Sequence, residues 1–403
     1  MKILIVTNHF FPEEFKVNSM ALELKRRGHD ISVLTAIPDY PQGVFHKGYG
    51  LFSRRVERWN GIKVYRSLII PRGKGGTLRM VMNYLSLTLS QTFNSLMLAM
   101  STRYDRIIVY ETSPVMVGIP AVCIKKLRHT PILFWVQDLW PESLTAAGGI
   151  NNGFVIGLFE RLTRWIYRNS TLILISSESF RESIIQKGDF AKKIVYFPQW
   201  AEDTSAEGCH GKMPEMPAGF KVMFAGNIGE AQDFEHIMEA ARILKNEDIH
   251  FVILGDGRKR VWVQEFIKKH GLEGTVHLLG RYPAAMMPCF FEKADTMLVS
   301  LKDELIFNLT LPAKMQAYMF AGKPIVAMMN GEGPRVITEA GGGISVPAGD
   351  SEGLAKAILG MKKTDGQKLA LMGERNRCYC AEHFSVKGCI DHLEDIMAEV
   401  AGK

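Results

Sequence analysis

The residues Gly226-Asn227-Ile228-Gly229, with Gln232 three positions on, stand between an apolar run at 221–225 and a helical pattern carried by Phe234, Ile237, Ala240, Ala241 and Leu244. A strand that runs into a glycine turn and then a helix offers backbone N–H groups and a positive helix end, which suits a phosphate. Asn227 and Gln232 would add neutral donors. An ordinary tight turn has the same spacing, so both readings stand on this pattern alone. A second candidate is Thr310-Leu311-Pro312-Ala313-Lys314. The proline opens a short helix and puts Lys314 in its first turn, where an exposed ammonium opposes the helix dipole by roughly 0.3–1 kcal/mol. A bound anion would compensate both charges; a solvated surface lysine is the other reading. Gly257, in the turn Gly255-Asp256-Gly257, and Arg281-Tyr282 ahead of Pro283 follow further apolar runs. Extended backbone before a proline exposes amides that can read a flat base.

In the first half, Asp138 and Glu142 fall in Gln137-Asp138-Leu139-Trp140-Pro141-Glu142-Ser143, directly after the apolar run 132–136. A carboxylate at a strand's end can orient or deprotonate a hydroxyl. Asp138 and Ser143 are equally good helix N-caps. Trp135 and Trp140 could stack on a sugar or simply fill a core. Asn18 and Tyr40 lie in the segments after the first and second apolar runs. There is no Asp-x-Asp metal motif, and Cys378-x-Cys380-x-x-His383 lacks a second ligand pair. No Gly-x-Gly-x-x-Gly follows the first run, which argues against a dinucleotide dehydrogenase.

Apolar runs at 3–7, 31–36, 63–67, 106–110, 132–136, 172–176 and 195–198 read as strands, and the rhythm resumes at 221–225, 250–254, 276–279, 296–300, 324–328 and 343–346. Helical patterns between most of them imply parallel sheets with helices on both faces. The first helix should start at Asn18 or Ser19, both good caps, and end at Gly28. The expected fold class is α/β: two Rossmann-like, doubly wound domains facing a cleft. The expected boundaries are residues 1–198 for the first domain, 199–219 for a polar linker, 220–383 for the second domain, and 384–403 for a terminal helix packing back on the first. In such sheets ligands bind at the carboxyl ends of strands.

The 403 residues are 47% apolar and 23% charged, which excludes disordered, collagen-like and disulfide-scaffold classes. Six scattered cysteines suit reduced thiols in a cytoplasmic protein. The start, MKILIVTNHFFPEEF, reads as a buried strand rather than a signal peptide. Through Lys193 there are 26 Lys/Arg against 14 Asp/Glu, or +12; the remainder has 23 against 28, or −5. A basic half suggests an anionic membrane or a nucleic acid as its partner, and the lack of interleaved aromatics disfavours nucleic acid. No run is long and apolar enough to span a bilayer. The uncharged stretch 80–102 repeats apolar residues at helical spacing (Val81, Leu85, Leu89, Phe93, Leu96, Met97, Met100), with Arg72, Lys74 and Arg79 before it and Arg103 and Arg106 after it. Most of it should pack on the first sheet, with the basic approach meeting anionic headgroups.

Taken in order, these pieces resemble retaining family-4 glycosyltransferases of the GT-B fold, most of all the bacterial surface-polysaccharide branch that includes L-fucosamine (N-acetylfucosamine) transferases. The resemblance rests on Phe10-Phe11-Pro12-Glu13, the stretch Arg27 to Thr35, Pro38-Asp39-Tyr40-Pro41-Gln42-Gly43, Asp138 to Ser143, Pro198 to Asp203, Gly226 to Gly229, Gly255-Asp256-Gly257, Leu311-Pro312-Ala313-Lys314 and Gly322-Lys323-Pro324-Ile325. It implies a UDP-sugar donor held by the second domain and a lipid-diphosphate-linked saccharide acceptor held by the first. It implies no metal and no cofactor, with O-antigen, lipopolysaccharide or capsule as the product. The enzyme would be peripheral on the inner face of the cytoplasmic membrane, with no nucleic acid partner. Gly226, Asn227, Ile228, Gln232, Gly257, Arg281, Tyr282, Thr310, Leu311, Pro312 and Lys314 would hold the donor. Asp138 with Lys314 would carry the chemistry, and Asn18, Tyr40 and Glu142 would face the acceptor or sugar. Relatives carry Arg where Asn227 stands, Lys where Gln232 stands, His near Gln137, and a Glu pair where this chain has Leu309 and Ala317. Lys314 is then the main cation expected on the diphosphate. Two alternatives share these residues: a UDP-sugar epimerase of the same fold, and a noncatalytic scaffold that binds a nucleotide sugar.

Overall fold

Strand β1 (Lys2–Thr7) is buried almost throughout, because it pairs in parallel on both edges, Ile3 with Ile31 on one side and with Arg106 on the other. A strand covered on both faces needs a continuous apolar run, which this segment supplies. The computed structural model describes residues 1–73, 76–144, 152–201 and 213–400. It divides into two compact units, Met1–Phe197 with Ile390–Lys403, and Pro198–Cys389.

The first unit is an eight-stranded sheet of β1, β2 (Asp30–Ala36), β3 (Val56–Trp59), β4 (Ile62–Ser67), β5 (Arg106–Glu111), β6 (Ile132–Val136), β7 (Leu172–Ile175) and β8 (Ile194–Tyr196), in the order β3-β4-β2-β1-β5-β6-β7-β8. All pairs are parallel except β3 with β4, an edge hairpin closed by Asn60 and Gly61 at φ 47° and 79°. Both positive angles fit the two-residue turn that matches strand twist. Helix α1 (Lys16–Arg26) begins two residues ahead of Asn18, and neither Asn18 nor Ser19 caps it; Phe15 is its N-cap and Gly28 follows its end at φ 90°. Helix α2 (Thr77–Ser101) spans 25 residues.

The second unit is a six-stranded parallel sheet of β9 (Phe220–Ala225), β10 (Ile249–Leu254), β11 (Val276–Gly280), β12 (Thr296–Ser300), β13 (Ile325–Met328) and β14 (Gly343–Val346), in the order β11-β10-β9-β12-β13-β14. Alternate residues of β9 feed two cores: Val222 and Phe224 pack with Phe234, Ile237 and Leu354, whereas Met223 and Ala225 pack with Phe290, Met315 and Tyr318. Helices α3 (Phe234–Ile243) and α4 (Ala313–Phe320) follow β9 and β12, and α5 (Val386–Glu399) ends the chain.

Gln199, Trp200 and Ala201, expected at the start of a linker, are packed within the second unit. Gln316 donates to the Gln199 carbonyl (2.6 Å), Ala201 N–H donates to Phe384 O (2.9 Å), and Trp200 is fully buried. Most of the remaining linker reading, residues 202–212, lies outside the described residues, as does Lys74. Within α5 the chain passes to the first unit, where Arg27 pairs with Asp391 (2.5 Å) and Glu394 (2.7 Å). His29 also meets Glu394 (2.7 Å), and Arg106 donates to Met397 O (2.9 Å). Arg106 is therefore a buried anchor for α5, not a surface charge beside α2. Cys123, Cys378, Cys380 and Cys389 are free thiols, but Cys289 is disulfide-bonded, so the expectation of uniformly reduced cysteines fails there. Burial pushes the Cys380 thiol up to about 12, and Cys378 on the same helix is exposed, so the Cys-x-Cys spacing does not converge on one point.

Candidate donor site and acceptor-side loops

Three adjacent strands of the second unit end in glycines with positive φ: Gly226 (146°), Gly255 (130°) and Gly280 (84°). Gly226 N–H donates to Leu254 O (2.9 Å) and Gly255 N–H to Gly280 O (2.7 Å), so each turn is laid on its neighbour. The crossing has no room for side chains: a Cβ on Gly255 would lie 1.8 Å from Gly226 O, and one on Gly257 would lie 2.3 Å from Ile228 O. These glycines are required by sterics. Ile228 itself is buried and serves through its backbone, its N–H bound to Asp256 O (2.9 Å) and its carbonyl to Lys259 N–H (3.0 Å). Gly257 N–H is held by the Asp256 carboxylate (2.8 Å). The amides of Asn227 and Gly229 have no partner among the described residues, and these two face a pocket.

That pocket, about 1020 Å³, is lined by Asn227, Gly229, Gln232, Gly257, Lys259 and Arg281 among others. A smaller one beside it, about 380 Å³, is lined by Gly226, Asn227, Asp256, Arg281, Tyr282 and Met287. The structure thus gathers Gly226, Asn227, Gln232, Gly257, Arg281 and Tyr282 at one sheet edge. Several cations here have carboxylate neighbours, Lys259 with Glu230 (2.9 Å) and Glu235, Lys302 with Glu230, and Arg281 3.7 Å from Asp256, whereas Arg258 in the pocket lining is exposed. The helix end expected to receive a phosphate has an acidic N-cap that makes no capping hydrogen bond. Asp233 stands at the N-cap of α3 at φ 51°, its carboxylate 2.7 Å from His236, after a short turn Glu230–Gln232.

The first turn of α4 is different. It holds no acidic residue, and Pro312 is its N-cap. Lys314 extends to the ring of Phe224 (4.0 Å to its centroid), and a Cβ on Gly226 would lie 3.1 Å from its Nζ. Nζ is shielded from solvent and has no hydrogen-bond partner among the described residues. Burial pulls the ammonium down to about 7. Beneath it, Tyr318 OH accepts from Ala225 N–H (2.8 Å) and donates to Ala225 O (3.0 Å), which fixes the end of β9 against α4. A buried cation with no counter-ion among the described residues, set against the Gly226 turn in a helix's first turn, is arranged for an anion. Thr310 turns its hydroxyl back to Ile306 O (2.8 Å), and Leu311 packs on the core, so both support this turn from behind.

In the first unit Asp138 follows β6. Its carboxylate accepts from Ser113 N–H (3.2 Å) and Oγ (2.8 Å), and Trp140 Nε1 donates to the same hydroxyl (3.2 Å). Glu142 accepts from Lys187 Nζ (2.5 Å) and Ser183 Oγ (2.6 Å). Asn18 has both ends of its amide engaged, donating to Glu13 O (2.6 Å) and accepting from Phe11 N–H (3.2 Å). Tyr40 is exposed, and its ring lies 5.2 Å from His9.

Two features here escaped the sequence reading. Glu111, at the end of β5, is fully buried with one oxygen unpartnered, and burial, with the charge of Asp138 second, pushes its carboxyl well above the usual range. His9 bonds Glu13 through Nδ1 (2.8 Å), stacked on Phe15 at 4.8 Å. The other Glu13 oxygen accepts from Asp39 N–H (2.9 Å) and Tyr40 N–H (2.7 Å), joining the loops after β1 and β2. Glu13→Ala would strand these donors and should cost about 1–3 kcal/mol in urea unfolding.

Two α/β units, the second ending three neighbouring parallel strands in glycines beside a pocket, have the GT-B architecture. The family described as "Glycosyl transferase 4-like domain" matches residues 15–200, and "Glycosyl transferases group 1" matches residues 219–363. The chain belongs to the family-4 glycosyltransferases of this fold. It is 27% identical over 290 residues to the probable glycosyltransferase WbjE of Pseudomonas aeruginosa, covering 68% of this chain and 71% of that one. It is 26% identical over 340 residues to the putative colanic acid biosynthesis glycosyl transferase WcaI of Escherichia coli K12, covering 80% and 82%. Among solved structures, Anabaena Alr3699/HepE in complex with UDP shares the fold with a TM-score of 0.71 at 16% identity, covering 99% of this chain and 100% of that one. Among the described residues no helix is long and apolar enough to cross a membrane, and no group of three or more His, Cys, Asp or Glu side chains could hold a metal.

Proposed function

We propose that this enzyme assembles a surface polysaccharide such as O-antigen or capsule. It moves an N-acetylated 6-deoxyhexosamine of the L-fucosamine type from a UDP-sugar to a lipid-diphosphate-linked saccharide, with retention and without a metal. It works at the inner face of the cytoplasmic membrane. The observation that carries the reading is Lys314: a buried ammonium without a counter-ion among the described residues, against the Gly226 turn. The description of WcaI as a putative colanic acid biosynthesis glycosyl transferase and the UDP complex of HepE support the same direction. In the transfer the bond from sugar C1 to the donor phosphate oxygen breaks and a bond to the acceptor hydroxyl oxygen forms on the same face. The acceptor proton passes to the departing diphosphate. Lys314 and the Asn227 and Gly229 amides take up the charge that develops there. Asp138 orients the acceptor hydroxyl, and Arg281 and Tyr282 bound the pocket for the base.

The test is proton-linked binding. With its ammonium pulled down to about 7, Lys314 is largely neutral at pH 8.5 in the free enzyme. A diphosphate that favours the charged form must then draw a proton from buffer. Donor affinity should fall as pH rises above 7, by up to about tenfold per unit. Calorimetry with a UDP-sugar in buffers of different ionisation enthalpy should show uptake approaching one proton at pH 8.5 and little at pH 6. Lys314→Met should abolish the uptake. Unchanged uptake in that variant would place the diphosphate elsewhere. Product analysis with donor alone separates an epimerase, which would yield a new UDP-sugar.

A further inference from the structure

Helix α2 is amphipathic the wrong way round. Its inward face carries Asn83, Gln91 and Ser95, all 1% exposed or less, beside Leu87, Leu98 and Ala99. Its outward face carries Leu78 (76% exposed), Val81, Met82, Leu85, Leu89 (71%), Phe93 (64%), Met97 and Met100. The apolar periodicity in the sequence is real, but it faces away from the sheet on which it was expected to pack. The cause is the ragged end of the sheet, whose backbone groups need partners. Ser86 and Ser90 accept from Ile70 N–H (2.9 Å) and Leu68 N–H (2.7 Å), Asn83 donates to Ile70 O (2.7 Å), and Gln91 donates to Thr7 O (2.9 Å). Satisfying those groups turns the polar face inward.

The apolar row runs the length of the helix, ~37 Å at 1.5 Å per residue. It continues into a pocket of about 340 Å³ lined by Leu51, Phe52, Leu68, Ile69, Ile70 and Ser86, with Phe52 99% exposed. A continuous row of this kind marks an interaction surface. Its charge setting selects the partner. Between residues 41 and 104 there are ten Lys or Arg and one acidic residue, Glu57. Arg79 and Arg103 are exposed at the two ends of α2, and Arg55 lines the pocket.

We propose that α2 lies in the plane of an anionic bilayer, with the row from Leu78 to Met100 among acyl chains and the arginines at its ends on phosphate headgroups. This rests on the reading of a lipid-linked acceptor and names the surface that meets the lipid. The experiment uses the full chain, without donor or acceptor, and extruded phosphatidylcholine vesicles with and without phosphatidylglycerol. Wild type should sediment with the anionic vesicles. Leu89→Glu combined with Phe93→Glu should lower the bound fraction about tenfold with an unchanged Tm, since both positions face solvent. The added fluorescence of Phe93→Trp should be quenched by brominated acyl chains. Unchanged binding of the double variant, or no quenching, would overturn the proposal. So would a concentration-dependent dimer that the double variant dissolves, because a second copy would then cover the row. Failure here leaves the Lys314 test untouched, and failure of that test leaves vesicle binding as measured.

Discussion

Lys314→Ala is expected to lower kcat/KM by about 10²–10³, the range found when one preorganised donor to a developing oxyanion is removed. The expectation follows from where the charges stand, Lys314 being the buried one. Lys259 and Lys302 are tied to Glu230 and Glu235, Arg281 has Asp256 nearby, and Arg258 stands exposed at the pocket. The Lys314 ammonium lies over the face of Phe224 and has no hydrogen-bond partner among the described residues. Stability should move the other way. In the free enzyme the folded state disfavours the charged amine that the unfolded chain accepts, so the unfolded state binds more protons between pH 7 and the ordinary lysine range. Wild-type stability therefore rises with pH through that window, and the burial penalty is fully present below pH 7. Lys314→Met, which keeps the volume without the charge, should raise the Tm most at pH 6 and least near pH 10, while transfer is lost. Gain of stability with loss of activity is the mark of a residue kept for its site. A variant with normal kcat and donor affinity would remove the diphosphate assignment.

Which parts of this were legible in the sequence depends on what each residue answers to. The parallel strands were, because burial on both faces leaves an unbroken apolar run, as in β1 and β6. Strand β3 was missed: Val-Glu-Arg-Trp alternates on an edge and has no such run, although the Asn60-Gly61 pair after it is a strong hairpin signal. The start of α1 was misplaced because Asn18 spends its amide on Glu13 and Phe11 rather than on a cap. Lys314 stood out because a lysine in a helix's first turn conflicts with the local dipole. His9, Glu13 and Glu111 did not. Their roles come from loops of different strands meeting, and chain spacing does not record that. The face of α2 could not be read either, since its periodicity fixes which residues share a side and not which side the sheet takes.

Gly255→Ala should be the most damaging of the small substitutions in the donor site. At φ 130° an L-residue is strained, at a cost of order 1–3 kcal/mol. Its Cβ would also lie 1.8 Å from Gly226 O, a backbone atom that cannot swing aside like a side chain, and overpacking adds about 1–3 kcal/mol. Together these predict a loss of about 2–6 kcal/mol, or roughly 4–24 °C in Tm at ~2–4 °C per kcal/mol for a unit of this size. The displacement should also reach the ligand. Gly226 is fixed to Leu254 on one side and lies against Lys314 on the other, so pushing its carbonyl moves the Asn227 amide and the ammonium apart. Donor affinity should therefore fall in Gly255→Ala even at temperatures where the protein remains folded. Gly360→Ala is the counterpart: its position in the helix Ser351–Lys363 has nothing within 4 Å, and alanine there should stabilise by roughly 0.5–1 kcal/mol with unchanged donor binding. If the two variants melted alike, the backbone crossing of the Gly226 and Gly255 turns would not be the feature that shapes the site.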